Sequence, residues 1–220
     1  MGKVLKSDAS ADWAWVEKDL GSGESEVWVT YRLAFDAASL ATWSSNTVSS
    51  DFDELFEATH TTQQDAASII NFGTLNWATF FGSSGTPVAD ITHTVEHHLL
   101  NGGAGAGVSQ LYVDGVLVAG ATGLTVASVR YVRMGLAPAD PGNPIGGVNY
   151  IGGVMIGTTR GASDLFADDF SSGDLTAWTS TFGDVSVVND PFAPVFTLPG
   201  VFDVAFTDPT LEAFPTWTAL

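Results

Sequence analysis

Residues Val108–Val118, V-S-Q-L-Y-V-D-G-V-L-V, constrain the fold of this chain more than any other stretch. Apolar residues alternate through Leu111 and Val113, the pattern breaks at Asp114–Gly115, and alternation resumes at Val116 and Val118. An Asp-Gly pair between alternating runs specifies a two-residue type I′ hairpin, because both central residues must take positive φ. Similar short segments recur at roughly ten-residue spacing, the pattern of a β-sandwich or barrel. Strands are predicted at Glu26–Phe35, Glu54–His60, Ser68–Phe72, Asn76–Phe81, Thr92–Leu100, Ser109–Val113, Val116–Ala119, Ser128–Gly135 and Val148–Ile156. Helical patterns are confined to Ala37–Trp43 and, more weakly, Gln63–Ala67. The class is all-β.

Within Glu26–Phe35, Val27, Val29, Tyr31, Leu33 and Phe35 share one face, while Trp28, Thr30, Arg32 and Ala34 share the other. That pattern suits a sheet with one buried side. Asn101–Gly107 reads as a Gly-rich link between strands, and Ala137–Gly147, with three of the nine prolines, as the longest turn-rich loop. Charge divides the chain. It holds 25 acidic and 7 basic residues, a net −18, and no basic residue follows Arg160. Nucleic acid is an unsuitable partner, since phosphate neutralisation needs clustered Lys and Arg. With no cysteine there is neither a disulfide framework nor a thiolate metal site. The N-terminus lacks an apolar signal core and no run is long enough to span a membrane, so synthesis without export and no membrane insertion are expected.

The reading divides the chain into an N-terminal arm (1–11), a sandwich (12–160) and an acidic C-terminal segment (161–220). In the last, Asp164–Val188 is expected to supply edge strands. Pro191–Leu220 carries Phe192, Phe196, Phe202, Phe206, Phe214 and Trp217 on a proline-punctuated backbone too short for its own core. It is read as an arm reaching across a subunit or particle interface.

S-Q-L-Y-V-D-G-V-L-V-A, then V-R-Y-V-R-M-G-L, a Gly/Pro loop and N-Y-I-G-G-V-M-I-G-T-T-R-G, resembles the second half of a concanavalin A-like, laminin G-like jelly roll. Gly152–Gly153 stands where that family often has paired acids, so any ligand role of those acids is lost. D-L-F-A-D-D-F-S-S-G-D-L-T-A-W, from Asp164, is similar to the opening of such domains, yet it follows the last strand. The resemblance implies an antiparallel jelly-roll β-sandwich. A Met-initiated chain of this kind without a signal peptide is similar to bacteriophage virion proteins: tail fibres, minor tail proteins and capsid decorations. The implied function is a non-enzymatic structural or adhesion protein of the virion, made in the host cytoplasm. It would work as a homo-oligomer against other virion proteins and cell-surface carbohydrate. The rival is a lectin-like module or glycanase of the same fold.

No catalytic residues are assigned from the sequence. Asp51, Asp53, Glu54 and Glu57 invite comparison with jelly-roll glycanases, whose acid pair alternates on one strand face with carboxyls about 5–5.5 Å apart. Here Glu54 lies opposite the others, and a solvated strand entrance is the simpler reading. On His93–Leu99, His93 and His97 point one way and Glu96 and His98 the other, too few ligands per face for zinc. The simpler reading is an exposed polar face with Val95 and Leu99 packed inward. No cofactor is assigned beyond calcium, for which Asp140, Asn143, Asp168 and Asp169 are the oxygen donors in loops; otherwise these are turn formers. Of seven Trp, Trp28 and Trp43 are the best candidates for exposed rings contacting glycan or partner, with Trp217 in the arm.

Overall fold

The alternating segments build two antiparallel sheets in a computed structural model that describes residues 2–9, 13–45, 50–60, 62–71, 75–137 and 146–192. In chain order the elements are β1 (Lys3–Asp8), β2 (Ala14–Glu24), β3 (Glu26–Phe35), α1 (Ala37–Ser45), β4 (Ser50–Thr59), β5 (Thr62–Asn71), β6 (Leu75–Thr79) and β7 (Gly82–Ser84). They continue with β8 (Thr92–Leu100), β9 (Gly107–Val113), β10 (Val116–Leu124), β11 (Val129–Ala137), β12 (Val148–Gly157), β13 (Phe166–Asp168), β14 (Ser180–Phe182) and β15 (Asp184–Asn189). Sheet 1 runs β10-β9-β8-β3-β12-β1-β15, with β13 also on β12; sheet 2 runs β14-β2-β11-β4-β5-β6-β7. This is the antiparallel β-sandwich expected.

Period-2 patterning fixes which side of each strand is inside. On β3, Val27, Val29, Tyr31, Leu33 and Phe35 are all buried, as the alternation predicts. Across the sandwich Val16, Phe56, Ile69, Trp77, Val132 and Met134 meet them. At the hairpin Asp114 has φ 51° and Gly115 φ 80°, the two positive values a type I′ turn requires. Ser84 Oγ donates to the Val118 carbonyl and ties edge strand β7 to edge strand β10. At the other edge, Gly183 (φ 69°) carries the chain from β14 in sheet 2 to β15 in sheet 1, packed against the Trp13 carbonyl.

Several expectations need correction. Gln63–Ala67 is no helix but part of β5, because its pairing with β4 and β6 overrides a weak local preference. Lys3–Asp8, read within an N-terminal arm, is a strand held between β12 and β15, with Leu5 fully buried. The helix over Ala37–Ser45 does form, capped by Asp36, whose Oδ1 accepts from Ser39 N at 2.7 Å. Most of the proposed arm, including Trp217, lies outside the described residues.

Candidate functional site

Two polar constellations stand out, one between the sheets and one on the outward side of sheet 2. The inner one begins with parity. His93, Val95, His97 and Leu99 share the inward face of β8, so the expectation of an exposed histidine face is corrected: His97 is 0% exposed. Glu54 on β4, read as a solvated strand entrance, and Asp65 on β5 are likewise fully buried, facing His97 from the opposite sheet. His97 Nε2 lies 3.1 Å from Asp65 Oδ2, and Nδ1 lies 2.9 Å from Glu54 Oε1. The second contact is off the line of a good hydrogen bond, leaving neither Glu54 oxygen with a well-directed partner among the described residues. Asp65 is better served: Ser109 Oγ donates to Oδ2, and the backbone N–H groups of Ala66 and Phe80 donate to Oδ1. Burial pushes Glu54 up, against the pull of His97. Burial by itself would lower His97, but Glu54 and Asp65 outweigh it and lift the imidazole to about 10. The cluster is a cationic histidine bolting sheet 1 to two carboxyl groups of sheet 2. Sealed from solvent, it is a structural element.

The outward constellation is built by three neighbouring strands, β2, β11 and β4. In β2 alternation sends Val16 into the core and Trp15 and Glu17 out; in β11 it sends Val132 and Met134 in and Tyr131 and Arg133 out. Glu57 comes from β4, three residues after inward Glu54 and therefore on the other face. Arg133 bridges the two acids: Nε donates to Glu17 Oε2 and Nη1 to Glu57 Oε1, each at 3.0 Å. Glu17 Oε1 also lies 3.1 Å from His60 Nε2 and accepts from Ser180 Oγ at 3.3 Å. The acids differ in support, since Glu57 Oε2 is buried and has no hydrogen-bond partner among the described residues. Burial raises the Glu57 pKa, with Arg133 opposing and Glu17 adding to the rise.

Aromatic rings surround this group. Trp15 stacks on Phe182 with centroids 5.5 Å apart, the Arg133 guanidinium lies 4.5 Å from the Trp15 ring, and His60 packs on Tyr131 at 4.0 Å. The carboxylates are nearly covered, whereas His60 (56% exposed) and Phe182 (44%) stand at the rim. Arg130 forks onto Asp19 beside them with both contacts at 2.9 Å, and that hydrogen bonding holds the Asp19 carboxyl down at about 2.

The residues singled out from the sequence fall elsewhere. Trp28 is half-buried on the outward face of sheet 1, stacked on His98 at 4.0 Å and near Tyr112 and Arg160. Trp43, expected to be exposed, is a core residue at 1% exposure, its indole N–H donating to the Gly146 carbonyl. Asp168 and Asp169 form local turns, accepting from the N–H groups of Phe170 and Ser171; Asp168 also holds Trp178 Nε1. Asp140 and Asn143 lie outside the described residues, as do the side chains of Asp51 and Asp53. Among the described residues no group of three or more His, Cys, Asp or Glu is arranged to hold a metal ion. Sequence reasoning missed Trp15, Glu17, His60, Tyr131 and Arg133. The alternations W-A-W-V-E and Y-V-R-M placed them on strand faces, but not beside one another.

No protein-family model matches the sequence, and no curated protein matches it. Among solved structures, an endo-β-1,4-glucuronan lyase from the fungus Trichoderma reesei superposes with a TM-score of 0.53 at 14% identity. The match covers 74% of this chain and 83% of the lyase. The two share a fold. An alginate lyase (TM-score 0.46, 14% identity, 68% and 77% covered) and a sialidase of Trypanosoma rangeli (0.44, 14%, 64% and 22%) are too distant to argue from. The expectation of a non-enzymatic protein is corrected by the first likeness: the solved structure that shares this fold is itself an enzyme, a glucuronan lyase, so the fold gives no ground for excluding catalysis. The lack of a catalytic spacing along one strand was weak ground for it, because acids can converge from different strands.

Proposed function

We propose that the protein acts on carbohydrate, holding a glycan across the outward face of sheet 2 and cleaving it with Glu17 and Glu57. The observation that carries this reading is the Glu17–Arg133–Glu57 bridge among aromatic rings: two carboxyl groups, unequally supported, on one face. Glycoside hydrolysis needs one acid that carries a proton and one carboxylate that does not. Burial raises Glu57 toward the protonated form, and its Oε2 has its hydrogen-bonding capacity unspent among the described residues. Glu57 hands its proton to the glycosidic oxygen as the C1–O bond breaks, while Glu17 takes the proton of the water that adds to C1. Trp15 and Phe182 supply ring faces for sugar C–H groups.

The test is release of reducing ends from a polysaccharide panel by the wild type, Glu57→Gln and Glu17→Gln. Activity lost in both variants, with unchanged thermal unfolding, supports the reading; release at the wild-type rate by either overturns it. A second reading, assembly as a homo-oligomeric component of a phage particle, is favoured by exposed Phe80, Phe81, Val88, Ile91, Val116 and Leu117. Such apolar surface suits a protein interface. Light scattering at micromolar concentration checks it: an oligomer supports this reading and a strict monomer removes it.

A further inference from the structure

We infer that the glycan taken by this face is uncharged, a neutral polysaccharide rather than one built of uronic or sialic acids. The inference rests on the site proposed above and follows from where the positive charge is spent. The chain has only seven Lys and Arg and four His, every one at a described position. The basic side chains of this face are His60, Arg130 and Arg133. Arg133 is bound at both ends by Glu17 and Glu57. Arg130 is closed by its two-pronged contact with Asp19, and His60 lies against Glu17. Lys18 shares the other side of β2 with Val16, donating to the Ala177 carbonyl at 2.9 Å with its ammonium 4.4 Å from the Phe166 ring of sheet 1.

A sugar carboxylate arriving here finds its cations already matched by protein carboxylates, and it must also approach Glu17 and Glu57. Binding it means breaking a nearly buried ion pair and leaving an acid uncompensated, which is costly where water is excluded. The long-range field acts the same way, since a net −18 repels a polyanion before contact. Elimination from a uronate also requires its carboxylate charge to be neutralised, and the guanidinium suited to that task is occupied on both sides. What the face does present is ring surface and hydrogen-bonding groups, which suit hydroxyls and C–H faces. Specificity here takes the form of a repulsive element against the charged competitor.

The experiment is a glycan array read with the intact protein, followed by calorimetry on matched pairs: β-1,4-linked glucose oligosaccharides and their C6-oxidised counterparts. Hits confined to neutral glycans, with the oxidised form bound at least about tenfold more weakly at low salt, are expected. Hits on uronate- or sialate-containing glycans overturn the inference and leave the site reading standing if Glu57→Gln alters that binding. Binding of no glycan overturns the site reading and the inference with it. Glu57→Gln gives a second check on the protein that does bind, because it removes the negative charge that pairs one end of Arg133. The ratio of acidic to neutral affinity must rise in this variant; an unchanged ratio overturns the argument from paired cations.

Discussion

Replacing His97 with leucine tests whether charge holds the centre of the sandwich. The change keeps a side chain of comparable bulk and removes the cation between Glu54 and Asp65, all three at 0% exposure. Removing one partner of a buried ion pair costs about 3–5 kcal/mol, because the remaining charge stays uncompensated. For a chain of this size each kcal/mol shifts Tm by about 2–4 °C, so a fall of roughly 6–20 °C is expected. Adding Glu54→Leu should restore part of the loss, since Asp65 still accepts from Ser109, Ala66 and Phe80. The pH dependence gives an independent sign. The folded His97 pKa of about 10 lies above the ordinary 6.5, so its contribution is complete below pH 6.5 and is lost as pH rises toward 10. The raised Glu54 acts in the same direction from its ordinary 4.5 upward. Through the histidine window the wild type should lose up to about 1.4 kcal/mol per pH unit, and His97→Leu should lack that slope. Urea unfolding followed by circular dichroism between pH 6 and 10 measures both. A loss under about 1 kcal/mol on substitution, or a variant slope equal to the wild type's, refutes the reasoning.

Arg133→Ala leaves Glu17 and Glu57 facing each other without their shared cation and should lower stability by about 3–5 kcal/mol at pH 7, less at pH 4; denaturant unfolding at both values checks it. Gly115→Ala should cost about 1–2 kcal/mol by chemical denaturation. Open space surrounds the added methyl, so that cost isolates the positive φ of the hairpin. Trp43→Ala removes a ring packed edge-on to Phe35 at 5.3 Å and should cost about 3–5 kcal/mol, seen as a drop in Tm.

Much of the fold was legible in the sequence for one reason: a strand's period of two reads directly as inside or outside. Parity alone set the two faces of β3 and put Glu54 and Glu57 on opposite sides of β4. It also put His97 on the side of Val95 and Leu99, yet the histidines were read as an exposed polar face, because a charged residue facing a core is readable only once its partners are known. Those partners, Glu54 and Asp65, lie on strands of the other sheet, and no local pattern announces a contact across the sandwich. The outward site was hidden in the same way. Glu17, Arg133 and Glu57 are far apart in sequence and meet only because β11 runs between β2 and β4. Trp43 misled for a different reason: its Ser-rich surroundings suggested solvent, whereas i, i+4 spacing on a short helix buries Ser39 and Trp43 together.

The most direct test of the account is a crystal structure of Glu57→Gln soaked with an oligosaccharide that the wild type degrades. The account predicts sugar density along the outward face of sheet 2, a ring over Trp15 or Phe182 and a glycosidic oxygen within hydrogen-bond distance of residue 57. Sugar bound instead on the outward face of sheet 1 around Trp28, with sheet 2 bare, contradicts it.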